Sequence, residues 1–558
     1  MQVTRRKRLA IIGAGSSGLV SLKTAIEVLP NWEIVCFEKS SGVTGCWGNP
    51  YPNFVSTSTK YTTQFACFPV VDASVHRDGG QSRSEFFCND EYGQYLEAFA
   101  AHFSLYSRIR LGWQVRSVKR VPGRPGWALQ LQPPAGHASE SLITEEFDSV
   151  ILCTGLVAQA KEVDSQVPSL PVAALRENSA VPIQNQCLVV LGGGESAVDL
   201  ATRLSRPRLQ NDVYLSVNSG IRVSPRYHPI RGVPSDFLRN RLMLSIHVDI
   251  RNWIGKWFVR ARILFQERFE RWFPARENPT AAAGKSEVVS RDDEWRARRK
   301  AWDYRLTRGA KAELFDMFHN KSDDFLDAVA DGHLKILGAP INRSHDEFKS
   351  LESEGTVRVA PDWIVPAIGY ASRLQELLGG DMRIEDFYLG CCHPLHRDLF
   401  AIGFARPIIG NIPTISEMQA RYVCGLIAGE YQLPENLPAL QVADLERNRR
   451  RYAKLNLSAI YPVEMIPYCD RLAREMGAYP TLKQVGSWWG WCRIQWAPST
   501  TMHYYCDAPT VRQRVISEKI YMPAILILLL LLLKPIDAAY RCLRFMRAGG
   551  KRQEGPVG

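Results

Sequence analysis

Two glycine-rich turns, each set between an apolar strand-type run and a helix-forming segment, predict an α/β protein with two parallel, doubly wound sheets. The first is Gly13-Ala14-Gly15-Ser16-Ser17-Gly18 after residues 9–12. The second is Gly192-Gly193-Gly194-Glu195-Ser196-Ala197 after residues 187–191, starting 179 residues further on. A third observation is a run of six leucines, 528–533, near the end of a 558-residue chain of net charge +12. The expected architecture is two Rossmann-like dinucleotide-binding domains, one inserted into the other, with a helical insertion and a C-terminal membrane-anchoring helix.

The basic run Arg5, Arg6, Lys7, Arg8 imitates a secretion signal. The apolar stretch behind it stops at Gly13, well short of the roughly 7–15 residues such a signal needs, so it reads as the first strand. Residues 19–29 form the first helix, and 33–37 the second strand, with Glu38 at its end. Residues 49–75 are rich in Thr, Ser, Tyr and Pro and read as loop. Residues 90–103 read as helix, 108–148 as a β-meander, and 148–155 as a buried strand ending in glycine. A polar linker, 156–185, precedes the second strand–turn–helix unit at 186–205, and 212–217 is its next strand.

Residues 236–320 are helical, basic and aromatic. Trp253, Trp257, Phe258, Phe265, Phe269, Trp272 and Phe273 interleave with Arg251, Arg260, Arg262, Arg268 and Arg271. That pattern suits a packed insert with one solvated face, or a second membrane-docking surface. Residues 362–370 and 397–403 are further strand-to-glycine signals, and 414–430 a helix. The expected domains are 1–155 and 362–518 for the first nucleotide, 156–361 for the second with its insertion at about 236–320, and 519–558 as anchor and basic tail.

Residues 520–533 carry no charge. Arg512, Arg514 and Lys519 precede them, and Lys534, Arg541, Arg544, Arg547, Lys551 and Arg552 follow. A full span needs about 20 apolar residues, so the segment suits a short span or monotopic insertion, with membrane lipid as a partner. The alternative is a buried core helix. No zinc finger, recognition helix or RNA-binding aromatic pattern accompanies the positive charge, so nucleic acid is not expected as a partner. Thirteen cysteines without CxxC spacing read as reduced thiols in a cytosolic setting. The eleven histidines show no metal-ligand spacing, and no Ser/His or Cys/His nucleophile arrangement stands out.

In the first turn Gly13 permits the sharp bend, Gly15 lets backbone approach a pyrophosphate, and Gly18 lets helix and strand pack closely. Glu38, 20 residues after Gly18, stands where a carboxylate accepts both ribose hydroxyls. In the second turn Ala197 takes the third glycine position. No acid follows the strand ending at Asn218, which favours a phosphorylated ribose, with Arg222 or Arg226 as its cation.

Two fingerprints followed by glycine-ended strands are the plan of two-dinucleotide flavoproteins. Residues 7–533 resemble the flavin-containing monooxygenases of the dimethylaniline-oxidising type. Gly42-Val43-Thr44-Gly45-Cys46-Trp47 resembles that family's glycine–tryptophan turn. Val55-Ser56-Thr57-Ser58-Thr59-Lys60 resembles its Ser/Thr/Asn motif beside the flavin ring. Gly155 and Gly369-Tyr370 resemble the ends of its linking strands, and Gly403-Phe404, Gly410, Pro413-Thr414 and Glu417 to Arg421 its segment over the isoalloxazine. Arg271-Trp272-Phe273 resembles part of its helical insertion, and the leucine run its anchor.

The resemblance implies FAD held by Gly13, Ala14, Gly15, Ser16, Ser17, Gly18, Glu38, Lys39, Cys46, Trp47, Gly403 and Gln419. It implies NADPH held by Gly192, Gly194, Glu195, Ser196, Ala197, Asn218 and Arg222, with Thr57 and Ser58 as the catalytic candidates at the ring. It implies oxygen transfer from O2, through a C4a-hydroperoxyflavin, to a small nucleophile bearing nitrogen or sulfur. It implies no metal, and an enzyme on the endoplasmic reticulum membrane with its catalytic domains in the cytosol.

This chain departs from the family pattern at several points. The FxGxxxHxxx(F/Y/W) fingerprint is absent, since no histidine lies between His137 and His228. Thr57 and Glu195 stand where the family has asparagines, Asn218 where it has arginine, and Ile368 where it has threonine. These departures bear on NADPH preference and on hydroperoxide lifetime. They keep open a Baeyer–Villiger oxygenase, an NADPH oxidase and a non-catalytic flavin-bound membrane protein.

Overall fold

A computed structural model of the chain describes residues 5–51, 53–70, 85–136, 141–157, 159–177, 183–228, 233–265, 268, 293–310, 312–380, 382–455 and 457–547. Phe269, Arg271, Trp272, Phe273, Lys551 and Arg552 lie outside the described residues.

The first unit begins with β1 (Arg8–Ile12), α1 (Ser16–Val28) and β2 (Glu33–Glu38). A short strand β3 (Val55–Thr59) leads into a helical turn, residues 60–63, where sequence composition suggested only loop. Its Ser/Thr content hid the strand, because these side chains bond to one another and to backbone: Ser56 Oγ donates to Ser58 O at 2.7 Å, and Thr59 caps the following turn. Helix α2 (Glu91–His102) and strand β4 (Ile109–Leu111) follow, then an antiparallel meander of β5 (Gln114–Arg120), β6 (Trp127–Gln132) and β7 (Ile143–Phe147). Strand β8 (Ser149–Leu152) returns to the first sheet.

The second unit contains β9 (Cys187–Leu191), α3 (Glu195–Leu204), β10 (Asp212–Ser216), the long helices α4 (Val248–Leu264) and α5 (Asp293–Gly309), β11 (Leu334–Leu337) and β12 (Trp363–Pro366). The chain then supplies β13 (Leu399–Ala401), β14 (Ala405–Ile409), α6 (Ile412–Ala428), β15 (Tyr461–Glu464) and the terminal helix α7 (Ala524–Arg547).

Two parallel sheets result. The first has the order β13-β8-β1-β2-β4 and the second β11-β10-β9-β12. Their central strands are buried on both faces, which is why residues 9–12 and 188–191 are unbroken apolar runs rather than alternating ones. Strand order reverses at β1 in one sheet and at β9 in the other, opening a crevice at the carboxyl end of each. Helix α6 shows how local sequence fixes an element facing the first crevice. Asn411 accepts the Thr414 N–H at 3.1 Å, Pro413 occupies the first turn, and Gly429 closes the helix at φ +82.

The transmembrane expectation is corrected: among the described residues no helix is long and apolar enough to cross a membrane. Helix α7 runs 24 residues, but charge enters at Lys534 and its second half docks on the start of α4. Asp537 is buried and accepts the His247 N–H at 2.7 Å, and Tyr540 donates to Asp249 at 2.7 Å. In the first half, Leu526, Ile527 and Leu530 pack on a core containing Phe237, Met502 and Tyr521, while Leu528, Leu529, Leu531 and Leu532 stay exposed.

Candidate functional site

The first glycine turn sits at the carboxyl end of β1. Gly13 holds φ +100, and a Cβ there would lie 2.6 Å from Cys153 O. Gly18 is tighter: its Cβ would lie 1.8 Å from Gly13 O. Gly15 precedes α1 without a side-chain cap, so the first N–H groups and the positive end of the helix dipole remain for an outside anion. Ala14 N–H and Ser40 N–H donate to the two oxygens of the buried Glu38 carboxylate at 2.7 and 2.8 Å, fixing it at the mouth of the turn. The turn Gly45–Trp47 closes over Gly15, with a Gly45 Cβ placed 3.1 Å from Gly15 Cα. Trp47 is edge-on to Tyr92 at 5.0 Å.

On the return segment Gly403 N–H donates to Gln419 Oε1 at 3.1 Å, and Ser17 and Ser416 share a 2.9 Å hydrogen bond. The structure thus gathers Gly13 to Gly18, Glu38, Trp47, Gly403 and Gln419 around one crevice. Lys39 and Cys46 are exposed at its rim. A backbone gap too tight for side chains, an uncapped helix start and a buried acid fit a dinucleotide with unphosphorylated ribose.

The second turn repeats the geometry. Gly192 holds φ +129, with a Cβ 2.4 Å from Ala367 O, and Gly194 precedes α3 uncapped. Glu195 is the first helical residue, Ser196 is exposed, Ala197 is buried, and Asn218 is exposed beyond β10. The two arginines expected near a ribose phosphate are placed differently. Arg222 donates to Ala312 O at 2.6 Å. Arg226 is buried, donates to Ser56 O at 3.1 Å and Val55 O at 3.0 Å, and faces Asp323 at 3.6 Å. The Arg226 guanidinium is committed to these partners, whereas Arg222 uses one guanidinium nitrogen on a backbone carbonyl.

The two units meet at β3. The Thr57 side chain is close enough to the Glu195 carboxyl to favour its charged form. Thr57 O accepts the ammonium of buried Lys321 at 2.6 Å, and Lys321 also pairs with buried Asp236. Asp236 in turn accepts the Thr59 N–H at 2.9 Å. Arg406 lies 3.9 Å above the Phe318 ring and is electrostatically coupled to Glu195. Burial pushes the Glu195 carboxyl above its ordinary value, against the pull of Arg406 and Lys321. Burial also opposes the charge on Asp236, but there Lys321 prevails and holds the carboxyl below its ordinary value. Glu195 at the second turn is therefore flanked by cations and yet easier to protonate than a free carboxylate.

Sequence reasoning missed Lys321, Asp236 and Arg406. Lys321 meets Thr57 across 264 residues, and no spacing announces such a contact. In a polar stretch such as His319-Asn320-Lys321-Ser322 a lysine reads as surface.

Residues 6–277 match the family described as flavin-binding monooxygenase-like. The chain is 26% identical over 512 residues to dimethylaniline monooxygenase [N-oxide-forming] 2 of Oryctolagus cuniculus, covering 85% of this chain and 84% of that protein. S-allyl-L-cysteine S-oxygenase from Allium sativum has a similar fold, with TM-score 0.53 and 16% identity over 92% of this chain and 95% of that one. Cyclohexanone monooxygenase from Rhodococcus sp. Phi1, solved bound to NADP+, gives TM-score 0.55 and 15% identity over 85% of this chain and 98% of that one.

Proposed function

From the premise that this chain is a divergent member of the flavin-binding monooxygenase-like family, we propose that it consumes NADPH and uses FAD to place one atom of O2 on a soft nitrogen or sulfur nucleophile. The observation that carries this reading is the Thr57 junction. A residue between the two glycine turns stands beside Glu195 of the second, favouring its charged form, and its carbonyl accepts the Lys321 ammonium. That is where the reactive rings of two dinucleotides, one in each crevice, would converge.

FAD, when bound, supplies the redox and oxygen chemistry. The protein's work is placement. The start of α1 would hold the flavin pyrophosphate and Glu38 its ribose, while Gly403 and Gln419 would shape the wall. The start of α3 would hold the nicotinamide dinucleotide, and Glu195, easier to protonate than a free carboxylate, could lose its charge there. Thr57 and Ser58 border the reacting end, and the buried network of Lys321, Asp236 and Arg226 holds their strand and keeps water out. In this reading residues 1–155 and 362–518 form the FAD domain and 156–361 the NADPH domain. The exposed leucines of α7, with Trp253 and Trp257 of the adjoining α4, support monotopic docking on the cytosolic face of the endoplasmic reticulum.

The test is anaerobic reduction of the purified flavoprotein by NADPH, then admission of O2 with a thioether or tertiary amine present. Sulfoxide or N-oxide formed in step with NADPH consumed is the expected result. Stoichiometric H2O2 without oxygenated product would make it an oxidase, and no reduction by NADPH would defeat the reading.

A further inference from the structure

A small cavity of about 20 Å3 borders the Thr57–Ser58 strand, lined by Ser58, Thr62, Asp236, Arg239, Asn411 and Met465 among others. Its charges do not balance. Around it Arg226 faces Asp323, Lys321 holds Asp236, and Arg406 is set against Glu195. Arg239 is the surplus cation: among the described residues its guanidinium forms no direct ion pair, and Asp236, whose charge it helps hold, is already paired with Lys321. It is near enough to oppose the charging of Lys321 and of the half-buried His319 and to favour the charge of Asp236, and His319 is held neutral.

The position is fixed by backbone. Arg239 N–H donates to Asp236 O at 3.1 Å, and Arg239 O accepts both the Ser499 N–H at 3.0 Å and its hydroxyl at 2.9 Å. Asp236 does not repel an incoming anion strongly, because Lys321 and the Thr59 N–H already take its two oxygens. A half-buried guanidinium that must share the Asp236 carboxylate with Lys321 is an electrostatic demand only partly met, and its planar fork matches a carboxylate.

Building on the oxygenase reading, we infer that the substrate carries a carboxylate, held by Arg239 at this cavity while its soft nucleophilic atom faces the flavin side of Ser58. The anion balances the fourth cation of the cluster. Arg239 thereby sets substrate class, preferring acids over neutral molecules with the same sulfur or nitrogen centre.

The experiment measures binding of 4-(methylthio)benzoate and 4-(methylthio)benzamide to the FAD-loaded full chain by calorimetry, without turnover. The acid is expected to bind about tenfold to a hundredfold more tightly than the amide. Arg239→Gln is expected to erase the difference, and Arg239→Lys to keep part of it. Equal affinities in the unaltered protein, or a preference surviving Arg239→Gln, would overturn the inference. Should Arg239→Gln fail to fold, the unaltered protein and Arg239→Lys still decide the matter. Selective acid binding with no NADPH-driven reduction of the flavin would uphold the anion site while sinking the oxygenase reading.

Discussion

Alanine at Gly18 and alanine at Gly15 are one methyl group each, three residues apart, and they should fail in different ways. At Gly18 the added Cβ falls 1.8 Å from Gly13 O and 2.8 Å from Gly13 C. Real Cβ contacts essentially never fall below 3.0 Å, so turn and helix must part by about 1 Å. The turn is tied in place, because Gly13 N–H donates to Phe37 O at 2.8 Å. Overpacking of this kind costs about 1–3 kcal/mol. At Gly15 the Cβ meets only Gly45 Cα at 3.5 Å, an ordinary contact, and φ −74 suits alanine. The apoprotein should not notice that methyl, but it occupies the face that a pyrophosphate must approach. The assay is thermal unfolding of flavin-free protein beside FAD titration. Gly18→Ala should lower the apoprotein melting temperature by several degrees and weaken FAD as well. Gly15→Ala should leave the melting temperature within about 1 °C and weaken FAD at least about tenfold. If Gly15→Ala binds FAD like the parent, the pyrophosphate does not lie over this turn. If Gly18→Ala leaves the apoprotein unperturbed, the packing reasoning is wrong.

Glu195→Gln keeps a side chain that can bond to Thr57 but removes the charge at the start of α3. The KM for NADPH in flavin reduction should fall about tenfold, and its rise with pH in the parent should flatten; an unchanged KM would take Glu195 out of the dinucleotide site. Burial, with His396 nearby, pushes buried His393 from 6.5 down to about 4, and its Nδ1 accepts the N–H groups of Leu395 and His396 at 3.2 and 3.0 Å. Because the folded value lies below the unfolded one, the stability it contributes is full above about pH 6.5 and is lost as pH falls toward 4, on the order of 2–3 kcal/mol. Melting temperature against pH should be flatter over that window in His393→Gln. Replacing Leu528, Leu529, Leu531 and Leu532 by glutamine should release the protein from lipid vesicles in a sedimentation assay without changing its melting temperature, since all four are exposed. Continued sedimentation would hand the docking role to the tryptophans of α4.

Both nucleotide units were readable because each depends on neighbours in sequence: apolar strand, glycine turn, helix, and for the first unit an acid at a fixed distance. The meander 108–148 and helix 90–103 were readable for the same reason. What escaped was tertiary. Strand β3 looked like loop because its residues are small and hydroxylated. Arg222 and Arg226 lie near the right strand, but which acceptor an arginine finds depends on carbonyls from segments up to 171 residues away. The leucine run was plain, yet its docked half depends on Asp537 meeting His247 across 290 residues.

The clamp on β3 has a mechanical consequence. Arg226 grips Val55 and Ser56, Lys321 grips Thr57, Asp236 grips Thr59, and Tyr51 just upstream is tied to Asp199 at 2.7 Å. Every gripping residue comes from the stretch that carries the second sheet, so the segment against the first crevice is in effect riveted to the other unit. A rotation that pulled the sheets apart at this point would have to shear five hydrogen bonds together. On the proposed function, opening motions would pivot here and swing the far ends of the two crevices, so that the distance between the reacting ends of two bound dinucleotides would stay nearly constant.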